Sequence, residues 1–469
     1  MTCAEKGKYG KPPPIQISGK TRTDRPWPYK RPEAEKHAPK KTASATNIHG
    51  CLYHALINCL IPESFPVTFT PQNANETGSS QYNAESNPQI QLCLIMSTPL
   101  PPLLTTNEPG SFAAFTLEKR LPAILDNLAK NADALQTQTL QQLATEIRKK
   151  TITPLPPLVF GSLDQAIKPY TGRRWADMPY LAVELYFYAR ILLAFGYAAN
   201  TLIDPFRPAK QQANLQAIES LATLADYCDE DCSTIHLLRW SVMGNIADLS
   251  QYAIPEADQV SLLMDESNTA EALLDSCPNQ IDYVFDNAGM DVLADLLLIR
   301  RISRHCARIV AHVRPWPMFV SDMTMADITH LMGELIASPI ATVQTLGEDI
   351  TRLLHQNRLV LRASPALGLP ICFCEDETLV HKTFENTELV LFKGDLNYRY
   401  FAGDRRWPHT TEKQFFFERF GRSAVCLRML KSEVLVGLPA DIAAQTLQLP
   451  SGWLTSGRHG VIQVFIGRR

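Results

Sequence analysis

Along the middle of the chain, apolar positions recur at three- and four-residue spacing. Residues 115–128, 132–149, 181–195, 213–227 and 237–252 each place one apolar stripe on a helix. The Pro-rich stretch 154–157 breaks the series. Residues 111–275 therefore read as mostly helical. Beyond them, short unbroken apolar runs alternate with helical stretches. Residues 283–285, 317–320, 371–373, 389–392, 434–436 and 461–466 read as strands. Residues 290–313, 324–337 and 342–354 read as helices between them. This alternation predicts βαβ units, a mostly parallel sheet and right-handed crossovers. The expected organisation is α/β, with a mostly helical domain over 98–275 and an α/β domain over 276–469.

Residues 1–97 pattern differently. The first 41 hold eleven Lys/Arg, four Asp/Glu and seven prolines, a net charge of +7. Such a segment reads as a disordered, partly basic extension that cannot bury enough apolar surface to fold. The whole chain has 45 basic and 48 acidic residues, so the remaining residues carry −10. That balance excludes a basic nucleic-acid footprint over the whole protein. No run of 18 apolar residues is present, so no membrane span is expected. At 45% hydrophobic and 20% charged, the composition is that of a globular protein.

Eleven cysteines raise the question of zinc. Cys228/Cys232 and Cys372/Cys374 lack a second pair at zinc-finger spacing. Residues 1–11 are polar, without the apolar core of a secretory signal. The expectation is reduced thiols in a cytoplasmic or nuclear protein.

In an open parallel sheet, ligands bind beyond the carboxyl ends of the strands. Three expected strand ends carry unusual polar residues: Asp286-Asn287-Ala288-Gly289, Ser321-Asp322, and Lys393-Gly394-Asp395-Leu396-Asn397-Tyr398-Arg399. Asp286 and Asp322 are separated by the length of one crossover. Two carboxylates and the Asn287 amide oxygen make a hard, all-oxygen set suited to Mg²⁺ or Mn²⁺. Asp286-Asn287 as a simple helix cap is the competing reading. Lys393 and Arg399 add cations, and Asn397 and Tyr398 add hydrogen-bonding groups, which suits a phosphorylated, hydroxylated ligand. Arg428 and Lys431 precede another expected strand and add positive charge.

These residues resemble the damage-control phosphatase family, formerly a domain of unknown function. The similarity is to its third subfamily, described as sugar-phosphate phosphatases and as protein-glutamate methyltransferases. It runs from about Pro99 to the C-terminus. It passes through Pro109–Phe112, Arg120–Pro122, Trp175, Glu184–Tyr188, Asp204–Phe206 and Gly244–Leu249. It continues through Asp286–Gly289, Phe319–Asp322, Lys393–Arg399, Arg428–Lys431, Gly437-Leu438 and Ser456-Gly457. The resemblance implies a helical N-terminal part against a three-layer α/β/α domain. It further implies Asp286, Asn287 and Asp322 as metal ligands, with Mn²⁺ preferred over Co²⁺, Ni²⁺ or Mg²⁺. Asp286, Asn287, Asp395 to Arg399 and Lys431 become substrate contacts, and Asp291 becomes the position linked with S-adenosylmethionine.

Two positions depart from the family pattern. Met290-Asp291 stands where Phe-Glu is usual, and Arg428-Met429-Leu430-Lys431 stands where Arg-Thr-x-Lys is usual. A methionine cannot supply the threonine hydroxyl. The expectation is a slow phosphatase acting on a small phosphorylated sugar such as fructose 1-phosphate or fructose 6-phosphate, which Met429→Thr and Asp291→Glu would accelerate. Asp286 and Asp322 are the expected catalytic residues, as metal ligands or by orienting or replacing the attacking water. The alternatives are an S-adenosylmethionine-dependent carboxyl methyltransferase acting on protein glutamates, and a weakly active sugar-phosphate-binding protein. No Gly-x-Gly loop supports the former.

Overall fold

The computed structural model describes residues 99–157, 159–197, 203–221, 232–244, 261–276 and 278–467. The expected extension over 1–97, residues 245–249 of one motif and the second halves of two expected helices lie outside them. The described residues fall within one compact unit, Leu56–Arg469.

The first helices are α1 (Leu121–Ala129), α2 (Ala134–Lys149), α3 (Tyr180–Ala194), α4 (Arg207–Leu221) and α5 (Thr234–Gly244). A capping box starts α2: Asp133 accepts from the Gln136 backbone N–H and Gln136 accepts from that of Asp133. α3 is buried at twelve positions, so it runs through the interior rather than along the surface.

Seven strands follow among the described residues: β1 (Ser261–Asp265), β2 (Gln280–Val284), β3 (Arg308–Val313), β4 (Leu359–Ala363), β5 (Leu389–Lys393), β6 (Ser423–Met429) and β7 (His459–Phe465). They form one sheet in the order β1-β7-β6-β5-β2-β3-β4. Every pairing is parallel except β6 with β7. β2 and β5 are buried at every position. That is the signature of central parallel strands covered on both faces. Along β5, Leu389 and Leu391 join one apolar core while Val390 and Phe392 join the other. On the first face lie α4, α5, α6 (Met290–Ile302), α7 (Met325–Ile336) and α8 (Ala341–His355). On the second lie α1 to α3, and α9 (Asp395–Ala402) with α10 (Lys413–Phe420). No helix among the described residues is long and apolar enough to cross a membrane.

The α/β class and the mostly parallel sheet hold, but several elements differ from the reading of the pattern. The expected helix over 290–313 ends at Ile302, and its last six residues are β3. Ile309–Val313 is buried on both faces, so its run carries neither a helical nor an alternating period. Residues 317–320, 371–373 and 434–436 are buried, except for the half-buried Val320 and Ile371, but are not strands. Each is an apolar segment packed against the core without a neighbouring strand, and Phe373 opens a 3-10 turn, Phe373–Glu375. β1, β4 and β6 were not expected; β1 falls inside the stretch read as mostly helical. Residues 395–399, read as part of a polar strand end, are the first part of α9.

The carboxyl ends of β2, β3, β5 and β6 point the same way. The segments leaving them therefore meet at one edge of the sheet.

Candidate active site

Beyond β2, the chain continues as Phe285-Asp286-Asn287-Ala288-Gly289 into α6. It is stitched to the segment that follows β3. Ala288 N donates to Ser321 O at 2.8 Å and Met323 N donates to Asp286 O at 2.9 Å. This short pairing brings Asn287 opposite Asp322. Asp322 thus reaches the site from a loop, not from the strand end expected over 317–320. That loop is tightly wound. Phe319 and Val320 have φ of 52° and 67°, and Ser321 N donates back to Phe319 O at 2.8 Å. A positive φ at a β-branched residue is rare, and such strain persists where the surroundings enforce it.

The Asn287 side chain has a fixed orientation. Its Nδ2 donates to Asp286 Oδ2 at 2.7 Å and to Asp291 Oδ2 at 2.9 Å. Its Oδ1 accepts from Ser321 Oγ at 2.7 Å. With the N–H groups aimed at carboxylates, the amide oxygen keeps one lone pair for a further partner. Asp322 is held from behind by Arg314, whose Nε donates to Oδ2 at 2.5 Å. Arg314 also donates to Asn397 Oδ1 at 2.9 Å, linking this wall to α9. Burial opposes the Arg314 charge, but Asp322, Tyr400 and Asp286 outweigh it and raise its pKa.

The third wall is the β5–α9 junction. Gly394 has φ 87°, and a Cβ there would lie 1.9 Å from Asp286 Oδ2. Only glycine lets this backbone pass so close to the carboxylate. Asp395 Oδ1 accepts from Arg428 Nε and from the Lys431 backbone N–H, both at 2.8 Å. Arg399 is pinned by Glu184 at 2.8 Å and by both oxygens of Asp404, with its guanidinium 4.2 Å above the Tyr180 ring. Burial raises the Glu184 pKa, opposed by Arg399 and then Arg120.

These walls enclose a cavity of about 50 Å³. Of the expected residues, Asp286, Asn287, Asp322, Asp395, Leu396, Arg399 and Lys431 line it. Five others stand behind the walls. Lys393 is fully buried and donates to Asp291 and to Asp295. Burial holds its pKa down to about 7, with Asp286 opposing. Asn397 donates to the carbonyls of Phe285 and Lys393 at 2.9 and 2.6 Å. Tyr398 bonds Gln463 at 3.0 Å. Arg428 pairs with Asp395 and with Val434 O. Asp291, the position the resemblance links with S-adenosylmethionine, is 2% exposed and faces Lys393 and Asn287. Met429 is fully buried in the core on the α6 side of the sheet, away from Arg428 and Lys431.

Sequence reasoning gave no role to Arg120, Tyr180, Glu184 and Phe319, which also line the cavity. Arg120, Glu184 and Phe319 stand in motifs shared with the family and carried that signal; Tyr180 carried none. Arg314 had only the oddity of an Arg closing an apolar run.

The donor set fits a hard divalent cation. Asp286, Asn287 and Asp322 offer oxygen only, and Arg120, Arg399 and Lys431 are at hand for a phosphoryl group. Among the described residues there is no cluster of three or more His, Cys, Asp or Glu side chains arranged for a metal. A site here rests on two carboxylates, one amide and the ligand's own oxygens.

Residues 116–446 match the model of the damage-control phosphatase ARMT1-like domain. Among curated relatives, damage-control phosphatase ARMT1 of Danio rerio is 28% identical over 436 residues, covering 78% of this chain and 97% of that protein. The Homo sapiens protein of the same name is 25% identical over 78% of this chain and 98% of its own. A DUF89 family protein of Pyrococcus horikoshii aligns over 76% of this chain and 98% of its own, at 13% identity and a TM-score of 0.43. With more than two thirds of its residues inside the matched domain, the chain belongs to the damage-control phosphatase ARMT1-like family.

Proposed function

We propose that the protein is a divalent-metal-dependent phosphatase that hydrolyses phosphate monoesters of sugars, fructose 1-phosphate and fructose 6-phosphate among them. The convergence of Asp286, Asn287 and Asp322 with Arg399 and Lys431 on one small cavity carries this reading. The three oxygen-bearing residues would hold the metal, with Mn²⁺ the first choice and Co²⁺, Ni²⁺ or Mg²⁺ the alternatives. When bound, such an ion polarises the phosphoryl group and lowers the pKa of a coordinated water.

The chain's own residues supply the positioning. Arg314 fixes the Asp322 carboxylate, and Asn287 fixes that of Asp286. Gly394 lets the α9 start close over Asp286, which excludes water from that side. Arg399 is immobilised by two carboxylates and a ring, so it offers a fixed positive charge that needs no reorganisation as charge develops on the phosphoryl oxygens. Lys431 approaches from the loop after β6, its backbone anchored on Asp395. Water attacks phosphorus, the bond to the sugar oxygen breaks, and the products are inorganic phosphate and the sugar.

The test is phosphate release from a panel of sugar phosphates with Mn²⁺, Co²⁺, Ni²⁺ and Mg²⁺, with and without EDTA. Turnover that EDTA abolishes, and that Asp322→Ala loses while staying folded, supports the reading. Full activity in EDTA or in that variant contradicts it.

A further inference from the structure

The inner cavity is too small for a whole substrate. At about 50 Å³ it holds a few water-sized occupants, whereas small-molecule pockets commonly run to roughly 300–1,000 Å³. A second cavity of about 610 Å³ adjoins it, and Arg120 lines both. The outer cavity is walled by Phe112, Phe115 and Trp453, with Glu433 and the hydroxyls of Ser451 and Thr455 at its polar side.

The junction is structured. Arg120 closes a five-residue π-helical segment, Thr116–Arg120, a form that recurs at functional sites. Its guanidinium lies 5.2 Å from the Phe112 ring centre, on the outer side, and its Nη1 bonds Thr116 Oγ1 at 3.4 Å. On the inner side its charge is felt by Tyr180 and Glu184. A second link comes from the loop after β6. Lys431 lines the inner cavity, while Glu433, two residues on, lines the outer and accepts from Phe112 N at 3.0 Å.

On the phosphatase reading above, we infer that the outer cavity is the subsite for the alcohol half of the ester, and that it selects leaving groups bearing a ring. Aromatic walls match the apolar C–H face of a sugar ring, and the carboxylate and hydroxyls match its edge. Arg120 sits where the ester oxygen must pass from one cavity to the other. The phosphoryl group occupies the inner cavity and the ring stacks in the outer.

The experiment compares fructose 1-phosphate with glycerol 3-phosphate, which has no ring, in the full chain, in Trp453→Ala and in Ser451→Trp. The second variant fills the cavity from an exposed rim position, so it does not depend on removing a packed side chain. Both variants should raise the ratio of KM for fructose 1-phosphate to KM for glycerol 3-phosphate by about tenfold, the scale of one aromatic contact and its buried area. Equilibrium binding of fructose 1-phosphate and of inorganic phosphate to the same proteins gives a readout that needs no turnover. Weakened sugar-phosphate binding with phosphate binding intact supports the subsite, even if the wild type hydrolyses neither ester; that lack of turnover would count against the phosphatase reading alone. An unchanged ratio, or equal losses for both esters and for inorganic phosphate, overturns the subsite.

Discussion

Replacing Gly394 by alanine tests how tightly the site is built. The new Cβ would lie 1.9 Å from Asp286 Oδ2 and 2.2 Å from its Cγ, whereas real Cβ atoms do not come within 3.0 Å. The Asp286 carboxylate or the start of α9 must therefore move by at least about 1 Å, and misplacement on that scale costs roughly 10²-fold in rate. The backbone adds strain. At φ 87° and ψ 171°, Gly394 occupies a region essentially reserved for glycine, worth about 1–3 kcal/mol for other residues. Gly421→Ala is the control. It too has positive φ, 71°, but no atom lies within 4 Å of the new Cβ. It sits before β6, at the edge of the sheet opposite the cavity. That variant should lose about 1–2 kcal/mol of stability and no activity. The assay is metal-dependent phosphate release from fructose 1-phosphate, with urea unfolding on the same samples. The expected result is a roughly 10²-fold fall in kcat/KM for Gly394→Ala alone. If Gly394→Ala keeps kcat/KM within threefold of the wild type, the close approach to Asp286 has no catalytic consequence and the reasoning fails.

Arg314→Ala should cost about 3–5 kcal/mol in urea unfolding and most of the activity, because it strands the buried Asp322 carboxylate; a loss under 1 kcal/mol would contradict this. Met429→Thr should not raise kcat/KM, because its side chain lies in the core, and it should cost about 1–3 kcal/mol for a buried hydroxyl; faster turnover at unchanged stability would restore the expectation drawn from the Arg-Thr-x-Lys pattern. Lys393 has its pKa lowered by burial from 10.5 to about 7, so between these values the unfolded chain binds more protons than the folded one and stability rises with pH. The contribution approaches 1.36 kcal/mol per pH unit inside that window; Lys393→Met should remove it from the pH dependence of unfolding measured from pH 7 to 9, and an unchanged slope would refute the assignment.

The residues proposed to hold a metal were legible because their signals are local. Tyr283-Val284-Phe285 ends in Asp286, and Leu389 to Phe392 ends in Lys393-Gly394, so fully apolar runs stop at polar groups that a buried strand end cannot otherwise tolerate. The loop carrying Asp322 was misplaced because Met318, Phe319 and Val320 are apolar for packing, Phe319 against Tyr188, and not for pairing in the sheet. β6 was missed because Ser423 and Arg428 bound its apolar run to the four residues Ala424–Leu427; Arg428 survives burial through Asp395 and the Val434 carbonyl, partners no local pattern reveals. For the same reason Asn397, Tyr398 and Arg428 looked like ligand contacts. Their residue types suit a phosphorylated ligand, yet Phe285 O, Gln463 and Asp395 engage them inside the fold. Arg120 and Glu184 lie far from Asp286 in sequence, and only the packing of the helices against the sheet edge brings them to the cavity.

The most direct measurement is calorimetric titration of Mn²⁺ into the EDTA-stripped full chain and into its Asp286→Ala variant. The account predicts one Mn²⁺ per wild-type chain at the cavity beyond β2, bound at least roughly 10²-fold more weakly once the carboxylate is gone, in line with the loss of about 2.7 kcal/mol or more of ligand interaction. Equal binding by the two proteins, or none by the wild type, would contradict it.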